Sequence, residues 1–181
     1  MKTLVLVFHP DLTNSRVNRR LTQEMEKQAN VTVHRVYEAY PDEKIDVAAE
    51  QRLLENHDRI VLQFPFYWYS TPSLLKKWQD VVLAYGWAFG STGDKLHGKD
   101  FLIAVSIGAA KEIYSPDSNF KYTLSELLRP LQATSNMIGT HYLKPFALYG
   151  VNQLSDEQLD QKAKDYAIYA LNTKLEPCPI H

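Results

Sequence analysis

The chain has very little cysteine: Cys178 is the only one among 181 residues. An internal disulfide is therefore excluded, which fits a reducing compartment. It also lacks an excess of either charge, since 20 Lys and Arg stand against 21 Asp and Glu for a formal net charge of −1. Without a basic field, general nucleic-acid binding is not expected. No long apolar run opens the chain; Leu4–Phe8 is stopped by His9, Pro10 and Asp11, too early for a membrane span or a signal-peptide core. Internal repeats, low-complexity tracts and linker-like stretches are missing, so residues 1–181 are expected to form one domain with a full-sized core, in the cytoplasm. His9, His34, His57, His97, His141 and His181 never fall at ligand spacing, and one cysteine cannot build a structural zinc site, so no metal is expected. A Gly-x-Ser-x-Gly nucleophile elbow is absent too.

What is present is an alternation of short β-rich runs with longer helical ones. Leu4–Phe8, Val31–Tyr37, Arg59–Phe64, Phe101–Ser106 and His141–Tyr149 read as strands, the last interrupted by Pro145, which argues for an edge or a bulge. Ser15 and Asp46 sit where they can cap helices running to about Gln28 and Asn56. Thr71-Pro72 opens a third helix, to about Ala84, whose apolar face reads Leu74, Leu75, Trp78, Val81 and Val82, with Trp78 read as core packing. Tyr122 to Met137 reads as helical with a kink at Pro130, and Ser155 to Gln158 has capping-box spacing for a last helix ending near Leu175. Together these predict an α/β fold, a doubly wound five-stranded parallel sheet with helices on both faces. In such sheets ligands bind beyond the carboxyl ends of the strands, which directs attention to the segments after strands one, three and four.

The first segment, residues 9–18, has no glycine and so is neither a Walker loop nor a dinucleotide fingerprint. It does carry Thr13, Asn14 and Ser15 ahead of a helix N-terminus, with Arg16, Arg19 and Arg20 beside them, a combination that suits a phosphate. The same residues also serve as an ordinary helix cap with a solvated basic face, and His9 as a loop-packing residue. The second segment runs Phe66-Tyr67-Trp68-Tyr69. A strand alternates its faces, so these rings cannot all be core; they suit a wall for a planar aromatic ligand, or core filling with a dimer contact. Tyr85-Gly86-Trp87-Ala88-Phe89-Gly90 forms a second aromatic cluster, of the sort that favours a protein interface. The third segment holds the small residues of Ser106-Ile107-Gly108-Ala109-Ala110 and then Tyr114.

At these segments the chain resembles the flavodoxin-fold NAD(P)H:quinone oxidoreductases, the DT-diaphorase-like group. Within it the chain resembles the bacterial branch that includes the ancillary subunits of glutathione-regulated potassium-efflux systems. The motifs are His9-Pro10, Ser15-x-x-Asn18, Tyr37-x-x-Tyr40-Pro41, Trp68-Tyr69-Ser70-x-Pro72-x-Leu74-Leu75-Lys76-x-Trp78, Gly86–Gly90 and Leu96–Lys99, over residues 3–150. The resemblance implies FMN as cofactor, with FAD as an alternative, and NAD(P)H as co-substrate. It implies that His9, Ser15, Arg16, Val17 and Asn18 hold the flavin's phosphate side. Phe66, Tyr67, Trp68 and Tyr69 would lie along its ring, and Ser106, Ile107, Gly108 and Ala109 would wrap the other side. It implies that Tyr114 stabilises charge on the reduced ring, and a homodimer with Trp87 and Phe89 reaching the partner's cleft. Two departures stand out: alanines at 109 and 110 where the family often has glycine, and Phe120 where the quinone reductases carry a histidine.

The activity so implied is two-electron reduction of quinones or similar small electrophiles by ping-pong hydride transfer. The alternative is an ancillary regulatory subunit docked on a potassium-efflux transporter at the inner membrane. A pure electron-carrying flavodoxin fits less well, because a net charge of −1 supplies no strong acidic docking surface. A flavin-free nucleotide-binding protein is the remaining reading.

Overall fold

In the computed structural model, residues 1–178 are described; His181, one of the six histidines weighed above, lies outside them. The first apolar run forms β1 (Thr3–Val7), buried at every position, as a central parallel strand requires. It is flanked by β2 (Val31–Arg35) and β3 (Arg59–Pro65). Beyond β3 lies β4 (Asp100–Ser106), and then two short segments, β5 (His141–Tyr142) and β6 (Phe146–Leu148), which both pair with β4. The order is β2-β1-β3-β4-β5, parallel throughout. β5 and β6 share one edge position, and Pro145 lies in the gap between them, where its missing N–H costs no ladder bond.

The helices are α1 (Asn18–Glu26), α2 (Val36–Ala39), α3 (Val47–Glu55), α4 (Ser73–Val82), α5 (Leu124–Leu127), α6 (Arg129–Met137) and α7 (Asp156–Leu171). Side chains alternate along β1, so Val5 and Val7 face Leu21 of α1 and Tyr166 of α7, whereas Leu4, Leu6 and Phe8 join Leu54 of α3, Trp78 of α4 and Leu131 of α6. Local capping follows the sequence closely. Asp46 accepts from the Ala49 N–H, and Ser155 and Gln158 form a reciprocal capping box.

Four elements depart from the sequence reading. β2 stops at Arg35 and the chain turns through α2, which lets the Tyr40 hydroxyl reach Glu50. The region 122–137 breaks rather than kinks: Thr123 boxes α5, and Pro130 sits in the first turn of α6, where no intrahelical N–H is needed. Val81 is 38% exposed, so the buried face of α4 is Leu74, Leu75, Trp78 and Val82. α7 ends at Leu171, and the buried Arg59 takes its last carbonyls: Nη1 donates to Ala170 and Asn172 while Nη2 pairs with Asp100 at 2.7 Å.

Trp78 is core, and it is also a donor. Its Nε1 gives a 2.8 Å hydrogen bond to Glu50, a carboxylate that is only 1% exposed. Glu50 also accepts from Tyr40 and bonds His34 Nε2, both at 2.7 Å. Burial pushes the Glu50 carboxyl up, but these partners outweigh it and hold it below the usual range.

Candidate active site

The strand order reverses between β1 and β3, so the chain leaving β1 and the chain leaving β3 diverge and open a crevice at their carboxyl ends. Hydrogen bonds tie the three segments expected there into one unit. Phe66 N–H donates to the Ser106 carbonyl at 2.9 Å, Asn18 Nδ2 to Ser106 Oγ at 2.9 Å, and Gln63 Nε2 to the Asn18 carbonyl at 3.1 Å. The sheet thus brings residues 9–18, 66–69 and 106–109 to the same end.

In the first segment, Ser15 Oγ accepts from the Asn18 N–H at 3.1 Å, but the N-cap position of α1 falls at Val17, which has no side-chain cap, rather than at Ser15. Among the described residues, the N–H groups of Arg16 and Val17 donate to nothing, as expected of the approach to a helix N-terminus. The guanidinium of Arg16 is turned the other way, onto Asp156 and the carbonyls of Val151 and Leu154. Arg20 pairs with Asp156 and Asp160, and Arg19 donates to the Thr13 carbonyl. The basic potential read from these three arginines is therefore largely spent on the chain itself. His9 Nδ1 accepts the Asp11 N–H at 3.1 Å, which leaves the proton of the neutral ring on Nε2. Burial lowers the His9 pKa, against the opposing pull of Asp11, so the neutral donor form prevails near pH 7.

The second segment is a two-residue turn. Tyr67 and Ser70 exchange backbone hydrogen bonds at 2.9 and 3.1 Å, and Trp68 and Tyr69 between them have φ of 45° and 62°. Both central residues of such a turn need positive φ, which glycine and asparagine accept readily. Here two aromatic residues are held there at a cost of about 1–2 kcal/mol each. Strain of this kind persists where surrounding structure enforces it. Trp68 is 90% exposed.

Behind this turn stands a wall of rings. Tyr69 lies 4.6 Å from Phe120 between centroids, Tyr114 lies 5.6 Å from Phe120 and 6.2 Å from Phe66, and Tyr149 lies 5.7 Å from Tyr114. Burial, and then the neighbouring Tyr69, raise the Tyr114 phenol, so it stays a protonated donor; its hydroxyl makes no hydrogen bond among the described residues. A cleft of about 170 Å³ beside Phe66, Ser70 and Thr71 runs toward Leu131 and Thr134 of α6.

The third segment is a tight return. Ile107 is buried, its N–H donates to Leu148 and its carbonyl accepts from Val151, so none of its polar groups is available. Gly108 is exposed, and a Cβ there would meet Asn152 Nδ2 at 3.2 Å. The N–H groups of Gly108 and Ala109 donate to nothing among the described residues. Trp87 and Phe89 are half-buried and pack against the chain's own core, Trp87 Nε1 donates to Glu55 at 2.8 Å, and Tyr85 is the more exposed ring of the cluster. Gly90 makes this fold-back possible, since a Cβ there would lie 2.5 Å from the Tyr85 ring. Two participants went unread in the sequence. Gln63 was legible as a polar residue inside an apolar strand; Asn152 carried no signal.

The crevice therefore offers unused N–H donors at a helix start, a neutral imidazole donor, a strained aromatic turn and a protonated phenol. Asn18 Oδ1, buried and without a donor among the described residues, adds an unmet acceptor at the same junction. These are the groups that a phosphate, a hydroxylated chain and a planar ring would use, so the residues present fit a flavin mononucleotide. Among the described residues no cluster of His, Cys, Asp or Glu could hold a metal ion, and no helix is long and apolar enough to cross a membrane.

The chain is similar to several known proteins. A family model described as flavodoxin-like fold matches residues 1–170. General stress protein 14 of Bacillus subtilis (strain 168) is 54% identical over 93% of this chain and 97% of its own, and the uncharacterized NAD(P)H oxidoreductase YrkL of the same organism is 47% identical over the same shares. The glutathione-regulated potassium-efflux system ancillary protein KefG of Pectobacterium carotovorum is 42% identical over 91% of this chain and 90% of its own. Among solved structures, the general stress protein 14 of Treponema denticola in complex with FMN superposes with a TM-score of 0.90 at 38% identity, over 94% of this chain and 98% of that one.

Proposed function

The chain belongs to the family of flavodoxin-like fold, and from that premise we propose that it is a single-domain, FMN-dependent NAD(P)H oxidoreductase. Its acceptors would be quinones or similar planar electrophiles, reduced by two electrons at a time. The observation that carries the reading is the junction at Ser106, which joins the helix-start donors of residues 15–18, the aromatic turn 66–69 and the return 106–109 at one sheet end. The FMN-bound relative at 38% identity and the NAD(P)H oxidoreductase at 47% support it.

When bound, FMN would supply a ring that accepts hydride from a nicotinamide and passes it on. The chain's own groups do the rest. The Arg16 and Val17 N–H groups, the Ser15 hydroxyl and His9 Nε2–H would take the phosphate side, and Asn18 would bind next to them. Trp68 and Tyr69 would orient the ring, and the Gly108 and Ala109 N–H groups would meet its far edge, with Ile107 holding the return in place. Tyr114 would donate its phenolic proton as a fixed hydrogen bond toward developing negative charge. One crevice serves nicotinamide and acceptor in turn, so the kinetics should be ping-pong. Phe120 stands where a proton relay would need a titratable group, so protons would come from Tyr114 or solvent.

A groove of about 510 Å³ between α4 and α6, flanked by exposed Tyr85 and Met137, supports a homodimer formed across that face. The KefG relative favours a second role, docking on a potassium-efflux transporter from the cytoplasm, which is compatible with catalysis. The test is the visible spectrum of the purified protein with added FMN, then NADH and NADPH oxidation with a soluble quinone. Bound flavin and parallel-line kinetics are expected. A colourless protein that gains no flavin spectrum would overturn the reading.

A further inference from the structure

Gln63 is a polar side chain placed where apolar packing is the rule. It is fully buried in β3, and its ladder neighbours, Val7 of β1 and Ala104 of β4, are buried and apolar. Its main chain is fixed, since the Phe8 N–H donates to its carbonyl at 2.8 Å. Its side-chain amide donates twice to α1: Nε2 lies 3.1 Å from the Asn18 carbonyl and 2.9 Å from Thr22 Oγ1. Asn18 and Thr22 stand one turn apart on the same helix face, so one amide holds two successive turns against the sheet. A carbonyl can only accept, which fixes the way the amide faces. Its Oε1 is then left buried, with no partner among the described residues. For stability alone this is a poor arrangement. A buried oxygen without a donor is destabilising, and methionine, unbranched and adaptable, would fill the same space. What glutamine supplies, and methionine cannot, is direction.

Resting on the FMN reading of the crevice, we propose that Gln63 is a positioning residue for the flavin phosphate, acting through α1 rather than by touching the ligand. Its two bonds fix the depth and rotation of the helix at its start, directly after Arg16 and Val17, whose N–H groups have no acceptor among the described residues. Hydrogen bonds weaken steeply as distance and angle depart from the preferred geometry, so a small shift of this turn is felt at an anion held by those N–H groups. Thr22 shares the role through its hydroxyl. The rest of the flavin does not meet α1 in this way, so the effect is confined to the phosphate.

The experiment compares FMN with riboflavin, which lacks the phosphate, by fluorescence titration of wild type, Gln63→Met, Thr22→Val and Thr22→Ser, beside melting temperatures of the flavin-free proteins. Gln63→Met should weaken FMN about tenfold, the equivalent of one hydrogen bond to a charged group, and leave riboflavin affinity unaltered. It should melt no lower than wild type, because the Thr22 hydroxyl it frees can turn onto the Asn18 carbonyl four residues back. Thr22→Val should weaken FMN about threefold, and Thr22→Ser, which keeps the hydroxyl, should match wild type. A Gln63→Met protein whose ratio of FMN to riboflavin affinity equals that of wild type overturns the proposal, whatever its melting temperature, and leaves the FMN reading standing. A wild type that binds neither flavin overturns the FMN reading and this proposal with it.

Discussion

Glu50→Gln is a sharp test of how the helical face of this fold is held. The carboxylate is buried and surrounded by donors: Oε1 bonds His34 Nε2 and the Tyr40 hydroxyl, and Oε2 accepts from the Trp78 indole. An amide can keep two of these on its oxygen, but its NH₂ then faces the Trp78 N–H, donor against donor. The loss is one hydrogen bond to a charged group, about 1.5–3 kcal/mol, plus a buried indole N–H left unpaired, about 1–3 kcal/mol, offset in part by the desolvation a neutral amide avoids. A net loss of roughly 2–4 kcal/mol follows, readable as a drop in urea midpoint at pH 7 with an unchanged slope. Adding Trp78→Phe to Glu50→Gln removes the clashing donor, so the double variant should be more stable than the sum of the single changes by about 1 kcal/mol or more. The pH dependence has a definite sign. The folded Glu50 pKa is depressed, so the unfolded chain binds the proton first, and the stabilisation present above the unfolded value near pH ~4.5 fades as pH falls through the folded one. Wild type and Glu50→Gln should therefore converge in acid. A Glu50→Gln protein within ~0.5 kcal/mol of wild type at pH 7, or strictly additive single changes, would refute the reasoning.

Tyr166→Phe should stabilise the protein, because the Tyr166 hydroxyl is fully buried with no partner among the described residues; a gain of about 0.5–2 kcal/mol, or a few degrees in melting temperature, is expected, and a lower melting temperature would count against it. Trp68→Gly relieves a φ of 45° and should raise stability by about 1 kcal/mol while weakening FMN in a fluorescence titration; unchanged affinity would remove Trp68 from the site. Asn18→Ala cuts the link to Ser106 and should cost about 1–2 kcal/mol together with FMN affinity, whereas lost stability with full affinity would make Asn18 purely structural. Tyr114→Phe should slow the NAD(P)H half-reaction roughly tenfold in stopped-flow, and an unaltered rate would leave the phenol without a part in the reaction.

Much of the fold was legible because it is written locally. The unbroken apolar runs of β1 and β3, the Asp46 cap and the Ser155–Gln158 box each depend on residues within a turn or a strand of one another, and each appears where the pattern predicts. Pro145 likewise announced an edge, since no central strand could forgo its N–H. What escaped the sequence is written across distance. Trp78 and Glu50 are 28 positions apart, and Arg16 and Asp156 are 140 apart; no periodicity relates them, so an arginine that reads as free charge is in fact committed. The same limit governs the site. The three segments could be named because strand order sends ligands to carboxyl ends. The left-handed turn at Trp68 and Tyr69 could not be read, because aromatic residues carry no preference for it and strand pairing around Phe66 and Ser106 has to impose it. The aromatic run therefore has two physical identities: Phe66 is half-buried against the core, and Trp68, two residues later, is held outside it against its own backbone preference. A chain gains nothing in stability from that arrangement, which is why the turn, more than the apolar content of the rings, marks the place where a ligand is to be met.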